Sequence, residues 1–160
     1  VAVSAGFLNS LVVSAAGRVY SFGDGSYGKL GYTATTQLVP RLIDALCGVR
    51  VAAISAGSYH SLAVTEAGEI FSFGDGDKGR LGRGDDIDRA PKVVKALQGE
   101  HVVTVAAGER HSLCVLESGR VFGWGSGQDE RLGLGLVLGN HQFAPKAYAH
   151  SCAAVVGPLV

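Results

Sequence analysis

Two short glycine motifs in this chain could carry nucleotide chemistry. Gly-Asp-Gly-Ser-Tyr-Gly at residues 23–28 and Gly-Asp-Gly-Asp-Lys-Gly at residues 74–79 both match GxGxxG. In a dinucleotide site that pattern lets backbone amides and a helix N-terminus approach a pyrophosphate. No amphipathic helix follows either motif, and residues 125–130 show the same stretch as Gly-Ser-Gly-Gln-Asp-Glu. We therefore interpret the motifs as structural loops and predict no cofactor.

A histidine followed directly by a serine occurs twice, as His60-Ser61 and His111-Ser112. Nucleophilic catalysis needs a hydrogen bond between the serine and its base. Adjacent residues of a strand point to opposite faces, so neither pair can form that bond. We predict no catalytic residue, and we expect each imidazole to hydrogen-bond backbone groups of a neighbouring strand or repeat.

The acidic residues of the middle of the chain could supply oxygen ligands to a hard cation. They are Asp85, Asp86 and Asp88, with Asp75 and Asp77 a few residues earlier. Their spacing does not follow the calcium-loop template, so a solvated loop is the better interpretation and no metal site is predicted.

These motifs sit in a repeat. Most of residues 54–82 can be found again 51 residues upstream and 51 residues downstream, in the same register. Self-similarity of this length indicates a repeat architecture. The glycines that we assign to its structural signature are Gly6, Gly57 and Gly108; Gly17, Gly68 and Gly119; Gly23, Gly74 and Gly125; and Gly31, Gly82 and Gly133. We predict repeats over residues 1–50, 51–101 and 102–149, followed by a tail, 150–160, of unclear assignment.

One repeat has the strand content of a propeller blade. His60 to Thr65 and Glu69 to Gly74 read as a hairpin whose turn contains Gly68, a residue that accepts a positive φ. Further strands are predicted around Lys92 to Ala96 and Val102 to Ala106. Four strands in about fifty residues are typical of one blade of a β-propeller.

The stretches at residues 54–64 and 105–115 resemble the signature of the regulator-of-chromosome-condensation repeat. His60 and His111 stand at the same point of it, where the first copy has Asn9. The resemblance covers roughly residues 1 to 148. It implies an all-β fold: three four-stranded blades that form an arc of a seven-bladed propeller.

The aromatic residues Phe22, Phe73 and Trp124 share one repeat position. We expect them to pack between adjacent blades.

The resemblance implies several functions. Propellers of this family can exchange guanine nucleotides on the small GTPase Ran, can regulate or recruit within ubiquitin ligases, kinases and ciliary proteins, or can serve as docking platforms. Exchange depends on a β-wedge inserted into one blade, and the two 51-residue repeats leave no room for one.

We therefore favour a non-enzymatic protein-interaction scaffold, although a catalytic domain could be fused to it in a parent protein. The polar loops Tyr32 to Val39 and Arg83 to Ala90 are the candidate contacts. The alternative is an exchange factor for a Ran-like small GTPase, with the wedge in blades outside this chain. The individual partner-contact candidates are Arg83, Asp85, Asp86, Asp88 and Arg89.

The composition limits the kinds of partner that the chain is expected to bind. The chain has 160 residues, 47% of them hydrophobic, and 14 basic residues balance 14 acidic ones. No basic patch predicts nucleic-acid binding, and no apolar run predicts a membrane span or a signal peptide. We expect an intracellular protein, cytoplasmic or nuclear.

Cys47, Cys114 and Cys152 lack the spacing of a zinc or redox motif, and we expect buried, reduced thiols.

The chain has no methionine and opens inside a repeat boundary. We interpret it as part of a longer propeller whose other blades lie outside it. Alternatively, copies of the chain associate to cover the apolar faces of the two end blades, because a blade buries its faces only against its neighbours.

Overall fold

The computed structural model describes residues 1–84, 89–133 and 141–148. The strands form three four-stranded antiparallel sheets in which each strand pairs with the next one along the chain. The first sheet contains β1 (Ala2–Ala5), β2 (Asn9–Val13), β3 (Val19–Asp24) and β4 (Thr36–Leu42). The second contains β5 (Val51–Ala56), β6 (His60–Thr65), β7 (Ile70–Gly74) and β8 (Lys92–Val93). The third contains β9 (Val102–Ala107), β10 (His111–Leu116), β11 (Val121–Ser126) and β12 (His141–Ala147).

The predicted all-β class and the four-stranded blades are confirmed. The inner strands β1, β5 and β9 lie side by side, as in successive blades of a propeller. The helical segments of the described residues are single 3-10 turns, at Ser26–Gly28, Asp44–Leu46, Asp77–Gly79, Lys95–Leu97 and Gln128–Glu130. None of these turns has the length and hydropathy of a membrane span.

The last strand of the second sheet is shorter than predicted. The expected strand Lys92 to Ala96 ends at Val93, and a 3-10 turn follows at Lys95–Leu97. The turn carries Val94 and Leu97 into the core, and the Val94 amide still donates to the Ile70 carbonyl oxygen at 2.9 Å. Burial of two apolar side chains therefore outweighs further strand pairing.

In the first sheet the loop predicted at Tyr32 to Val39 ends earlier than expected. Its second half belongs to β4, which begins at Thr36.

Each pair of neighbouring sheets encloses its own hydrophobic core. The first core joins Leu11, Val13 and Val19 to Phe73, and the second joins Leu62, Val64 and Ile70 to Trp124. Phe73 and Trp124 therefore pack between blades, as expected. Phe22, at the same position of the first sheet, is half-buried, because no described sheet lies on its side.

The backbones of adjacent sheets approach each other closely at one glycine of the repeat. A Cβ atom placed on Gly6 would lie 2.5 Å from the Gly57 carbonyl oxygen, and one on Gly57 would lie 2.4 Å from the Gly108 carbonyl oxygen. These contacts involve backbone atoms, which cannot swing away as a side chain can. Any larger residue at Gly57 must push two sheets apart.

The cysteine prediction was partly wrong. Cys114 is buried, and burial raises the pKa of its thiol to about 12, so the thiol stays protonated. Cys47 is exposed, because it follows the 3-10 turn Asp44–Leu46 in a surface connection between sheets. Cys152 lies outside the described residues.

Gly57→Ala tests the close approach. We expect the free energy of unfolding to fall by about 3 kcal/mol, the upper range for overpacking. The matched control is Gly99→Ala, since Gly99 has a φ of +87° but no atom near its Cβ position. That variant should cost about 1 kcal/mol, for left-handed backbone alone. Urea denaturation measures both, and an equal loss in the two variants would contradict the proposed role of Gly57.

Candidate functional site

One end of the three sheets carries the candidate site. In an antiparallel meander, the first-to-second and third-to-fourth strand connections emerge at the same end of a sheet. Here they are residues 6–8 and 25–35 of the first sheet, residues 57–59 and the described parts of 75–91 of the second, and residues 108–110 and the described part, 127–133, of the connection after β11 in the third. We call this end the loop face.

The GxGxxG motifs form tight turns on the loop face. In both motifs, and in the equivalent stretch 125–130 of the third sheet, the chain enters a 3-10 turn after the second glycine. The middle residue of the turn has a positive φ: 64° at Tyr27, 59° at Lys78 and 56° at Asp129. These residues occupy the same repeat position but differ in side chain. Left-handed backbone at a non-glycine residue is strained, and it recurs here with the repeat.

A basic residue directly follows each of these turns and forms ion pairs or hydrogen bonds that hold the loops of this face in place. The side chains of Lys29 and Arg80, at equivalent positions, are each 3% exposed, and Arg131 is the third member of the series. The Lys29 ammonium pairs with Asp24 and donates to the carbonyl oxygens of Phe7 and Ser58, both at 3.4 Å. The hydrogen bond from Lys29 to the Asp24 carboxylate is the largest cause of the lowered pKa of Asp24. These three basic residues are 51 residues apart, so the repeat spacing in the sequence is the signal that locates them.

Arg80 accounts for the acidic residues that were considered for a cation. Its guanidinium lies 3.3 Å from a carboxylate oxygen of Asp75 and 3.3 Å from one of Asp77. Among the described residues there is no cluster of His, Cys, Asp and Glu that could hold a metal ion. Asp85, Asp86 and Asp88, the other members of the acidic set, lie outside the described residues.

The repeated histidine links two sheets, although through a different partner from the one expected. We expected a backbone group, but His60 Nε2 lies 2.7 Å from Ser112 Oγ of the next sheet. Ser112 in turn donates to the Arg80 carbonyl oxygen at 2.8 Å, so its proton is committed and His60 Nε2 must be the donor to Ser112. Trp124 Nε1 donates to the same carbonyl oxygen at 2.9 Å.

Burial keeps this histidine neutral. His60 is completely buried, and the loss of solvation, reinforced by Arg80 and His111, lowers its pKa to about 3. His111 is half-buried, and burial, with Arg131, lowers its pKa as well. In the first sheet, the Asn9 amide, oriented to satisfy its neighbours, donates to the Gly57 carbonyl oxygen at 3.1 Å. The position therefore serves the contact between sheets.

Aromatic and arginine side chains meet on the loop face where the first two sheets adjoin. The rings of Tyr27 and Tyr59 form an edge-to-face pair with centroids 5.5 Å apart. Arg80 lies over the Tyr59 ring at 5.1 Å, and Arg89 lies over the Tyr27 ring at 5.8 Å. The loop face also exposes Phe7 and Leu8. We call these six residues the loop-face cluster: Phe7, Leu8, Tyr27, Tyr59, Arg80 and Arg89.

A pocket of about 450 Å³ opens beside this cluster. Its walls are the turn at residues 25–28, the loop at residues 31–35, and Arg89 with Ala90. Of the predicted contact residues, Arg89 lines this pocket, and Arg83 lines another cavity, of about 650 Å³, with Lys92 and Lys95. The structure thus brings Arg89 together with part of the loop Tyr32 to Val39. The side chain of Arg83 reaches the neighbouring residue, since it donates to the Ala90 carbonyl oxygen at 3.3 Å.

The architecture is that of consecutive β-propeller blades. Superposition on yeast RCC1 (Prp20), crystallised with Kap60, gives a TM-score of 0.83 at 20% identity and covers 93% of this chain and 37% of that one. The model of the regulator of chromosome condensation (RCC1) repeat matches residues 16–64 and 67–115, and a second model of the same repeat matches residues 1–29, 51–80 and 102–130. The chain belongs to the RCC1 repeat family.

Similar proteins include two longer relatives. Human E3 ubiquitin-protein ligase HERC2 is 41% identical over 139 residues, which are 84% of this chain and 3% of HERC2. The ultraviolet-B receptor UVR8 of Arabidopsis thaliana is 41% identical over 138 residues, which are 84% of this chain and 31% of UVR8. The chain spans less than a third of each of these relatives.

His60 predicts how stability depends on pH. The unfolded chain protonates this imidazole near pH 6.5, whereas the folded state keeps it neutral down to about pH 3. The unfolded state therefore binds more protons between these values, so the free energy of unfolding falls as the pH falls. At pH 4.5 the loss due to His60 should be about 3 kcal/mol, since each pH unit is worth about 1.4 kcal/mol.

The matched variant is His60→Asn, because Asn9 already occupies this position in the first sheet. It should be less stable than the parent at pH 7, because it loses the bond to Ser112, yet it should lose less stability between pH 7 and pH 4.5. Urea denaturation at the two pH values gives the comparison. Equal losses in the parent and the variant would show that His60 is not the buried neutral group.

Proposed function

We propose that this segment is a non-enzymatic protein-interaction module that binds its partner through the loop face. The observation that carries the proposal is the loop-face cluster, in which the rings of Tyr27 and Tyr59 are stacked with arginines and in which Tyr27 and the exposed Arg89 line one pocket. Tyrosine and arginine are enriched among the residues that dominate binding energy at protein interfaces. They are also large groups that lose little conformational freedom on binding when they are already held in place.

The loop face supports this function because it is anchored before a partner arrives. Lys29 donates hydrogen bonds to the loops at residues 6–8 and 57–59. Arg80 is held by Asp75 and Asp77 while it stacks on Tyr59. Preorganisation of this kind reduces the entropy lost on association. A rigid repeat framework that presents variable turns is the usual physical basis of recognition by solenoids and propellers.

The relatives fit a role in recruiting proteins. HERC2 is an E3 ubiquitin-protein ligase. Prp20p of Saccharomyces cerevisiae, a structural neighbour, has binding properties towards Gsp1p and histones. We assign no ligase chemistry to this segment. Every strand in the described residues belongs to one of the three sheets, so no observation favours guanine-nucleotide exchange over the interaction role.

We further propose that the two end sheets associate head to tail in solutions of the 160-residue chain. Ile54 packs against the core between the first two sheets, but its counterpart Val3 is 76% exposed on the outer side of β1. At the other end, Leu113 and Val115 are only half-buried, whereas their counterparts Leu62 and Val64 are fully buried. The two open faces are thus the complementary halves of one interface.

Selection of binders from a displayed peptide library on the immobilised chain tests the interaction role. We expect Tyr59→Ala to weaken the selected binders roughly tenfold, as for an interface hot spot. Arg18→Ala, an exposed site on the turn between β2 and β3 at the opposite end, should leave them unchanged. Binders that respond to Arg18→Ala and not to Tyr59→Ala would refute the loop-face assignment.

Light scattering after size-exclusion chromatography tests the head-to-tail association. The chain should elute as species of at least twice the monomer mass, and Val3→Asp should shift them towards the monomer, because a charge would be buried in the interface. Arg18→Ala should not alter the mass. A monodisperse monomer at all concentrations would rule the association out.

A further inference from the structure

Among the described residues that line the pocket of about 450 Å³ beside the loop-face cluster, Arg89 is the one cation, and it is exposed. Arg89 approaches the first sheet from the second and is fixed along its length. Its guanidinium lies over the Tyr27 ring, and its carbonyl oxygen accepts the Gly74 amide at 3.0 Å. A Cβ on Gly28 would lie only 2.7 Å from the Arg89 Cβ, so the stem of Arg89 packs directly on that glycine.

The guanidinium of Arg89 differs from the other fixed cations of this face. Lys29 pairs with Asp24, Arg80 with Asp75 and Asp77, and Arg131 with Asp129. Within the part of the chain that the structure describes, no carboxylate lies within salt-bridge distance of Arg89. The described residues that line the pocket include no Asp or Glu.

The rest of the pocket wall suits a carboxylate with an apolar neighbour. Thr33 and Thr35 are both exposed and contribute hydroxyl groups, which can donate hydrogen bonds to a carboxylate. Tyr27, Tyr32 and Ala34 supply apolar surface. A cationic ligand would meet the charge of Arg89, which already covers the face of Tyr27.

We infer that this pocket recognises an aspartate or glutamate side chain, with an adjoining apolar residue, on an extended segment of the protein partner. The inference rests on the proposed interaction role and specifies the chemistry of the partner. An arginine guanidinium can hold a carboxylate through two parallel hydrogen bonds, which a lysine cannot reproduce. The partner would thus supply the carboxylate that Arg89 lacks among the described residues.

Fluorescence anisotropy with a labelled peptide of alternating Glu and Leu tests the inference on the 160-residue chain. The same peptide with Gln in place of Glu is the neutral comparison and should bind roughly tenfold more weakly, in line with the loss of a charged hydrogen-bonding group. Arg89→Ala should reduce binding of the Glu peptide by a similar factor, and Arg89→Lys should give an intermediate value. Added salt should weaken the Glu peptide only.

Arg18→Ala is the matched control, since Arg18 is also an exposed arginine but lies at the opposite end of the first sheet. Thermal unfolding of each variant identifies any that has lost its fold. Equal affinity for the Glu and Gln peptides, unchanged binding by a folded Arg89→Ala variant, or preference for a peptide of alternating Lys and Leu would overturn the inference.

The peptide experiment can fail without refuting the proposed interaction role, and the library experiment tests that role separately. Library binders that depend on Tyr59 but carry no acidic residue, together with no binding of the Glu peptide, would leave the interaction role intact and refute the acidic pocket. If the library instead yields no binder that depends on Tyr59, the loop-face assignment fails, whatever the Glu peptide does.

Discussion

The contact between sheets depends on the carbonyl oxygen of one residue per repeat. The Arg80 carbonyl accepts hydrogen bonds from Ser112 and Trp124 of the third sheet, and the Lys29 carbonyl accepts one from Ser61 of the second. These groups are buried, so each bond matters mainly because an unpaired partner would be costly. The hydroxyl of Ser112 also accepts a hydrogen bond from His60 Nε2, so His60 belongs to the same buried contact between sheets, which we call the seam.

The same residues connect the seam to the loop face. The backbone of Arg80 belongs to the contact between sheets, while its side chain holds Asp75 and Asp77 and stacks on Tyr59. A shift of one sheet against the next would therefore move the aromatic residues of the loop face as well. This coupling explains how short loops keep a defined geometry: their positions are set by buried hydrogen bonds between sheets rather than by their own length.

The sequence predicted best what the repeat itself determines. The spacing of the glycines and apolar residues located three sheets and the hairpin of His60 with Gly68, whose φ of +81° is the conformation expected of a turn glycine. The end of β8 and the exposure of Cys47 were missed because both depend on how much apolar surface a 3-10 turn can bury, which a local pattern does not show.

The candidate site was predictable only in part. Arg89 was among the candidate contacts, but Tyr27 and Tyr59 belong to other connections, and the sequence does not show that these three residues meet. The series Lys29, Arg80 and Arg131 could have been found, because it follows the same spacing as the glycines.

The loop face illustrates how a repeat can keep its fold while its surface changes. Tyr27, Lys78 and Asp129 share one strained backbone conformation, with φ between 56° and 64°, although one is aromatic, one basic and one acidic. Because the turn is held by the glycines before it and by the basic residue after it, the middle residue is free to vary without loss of packing. Recognition is then a property of single side chains grafted on a common frame. At the junction of the first two sheets this freedom places an aromatic ring, Tyr27, beneath an arginine from the next sheet, and that pairing gives the pocket its charge.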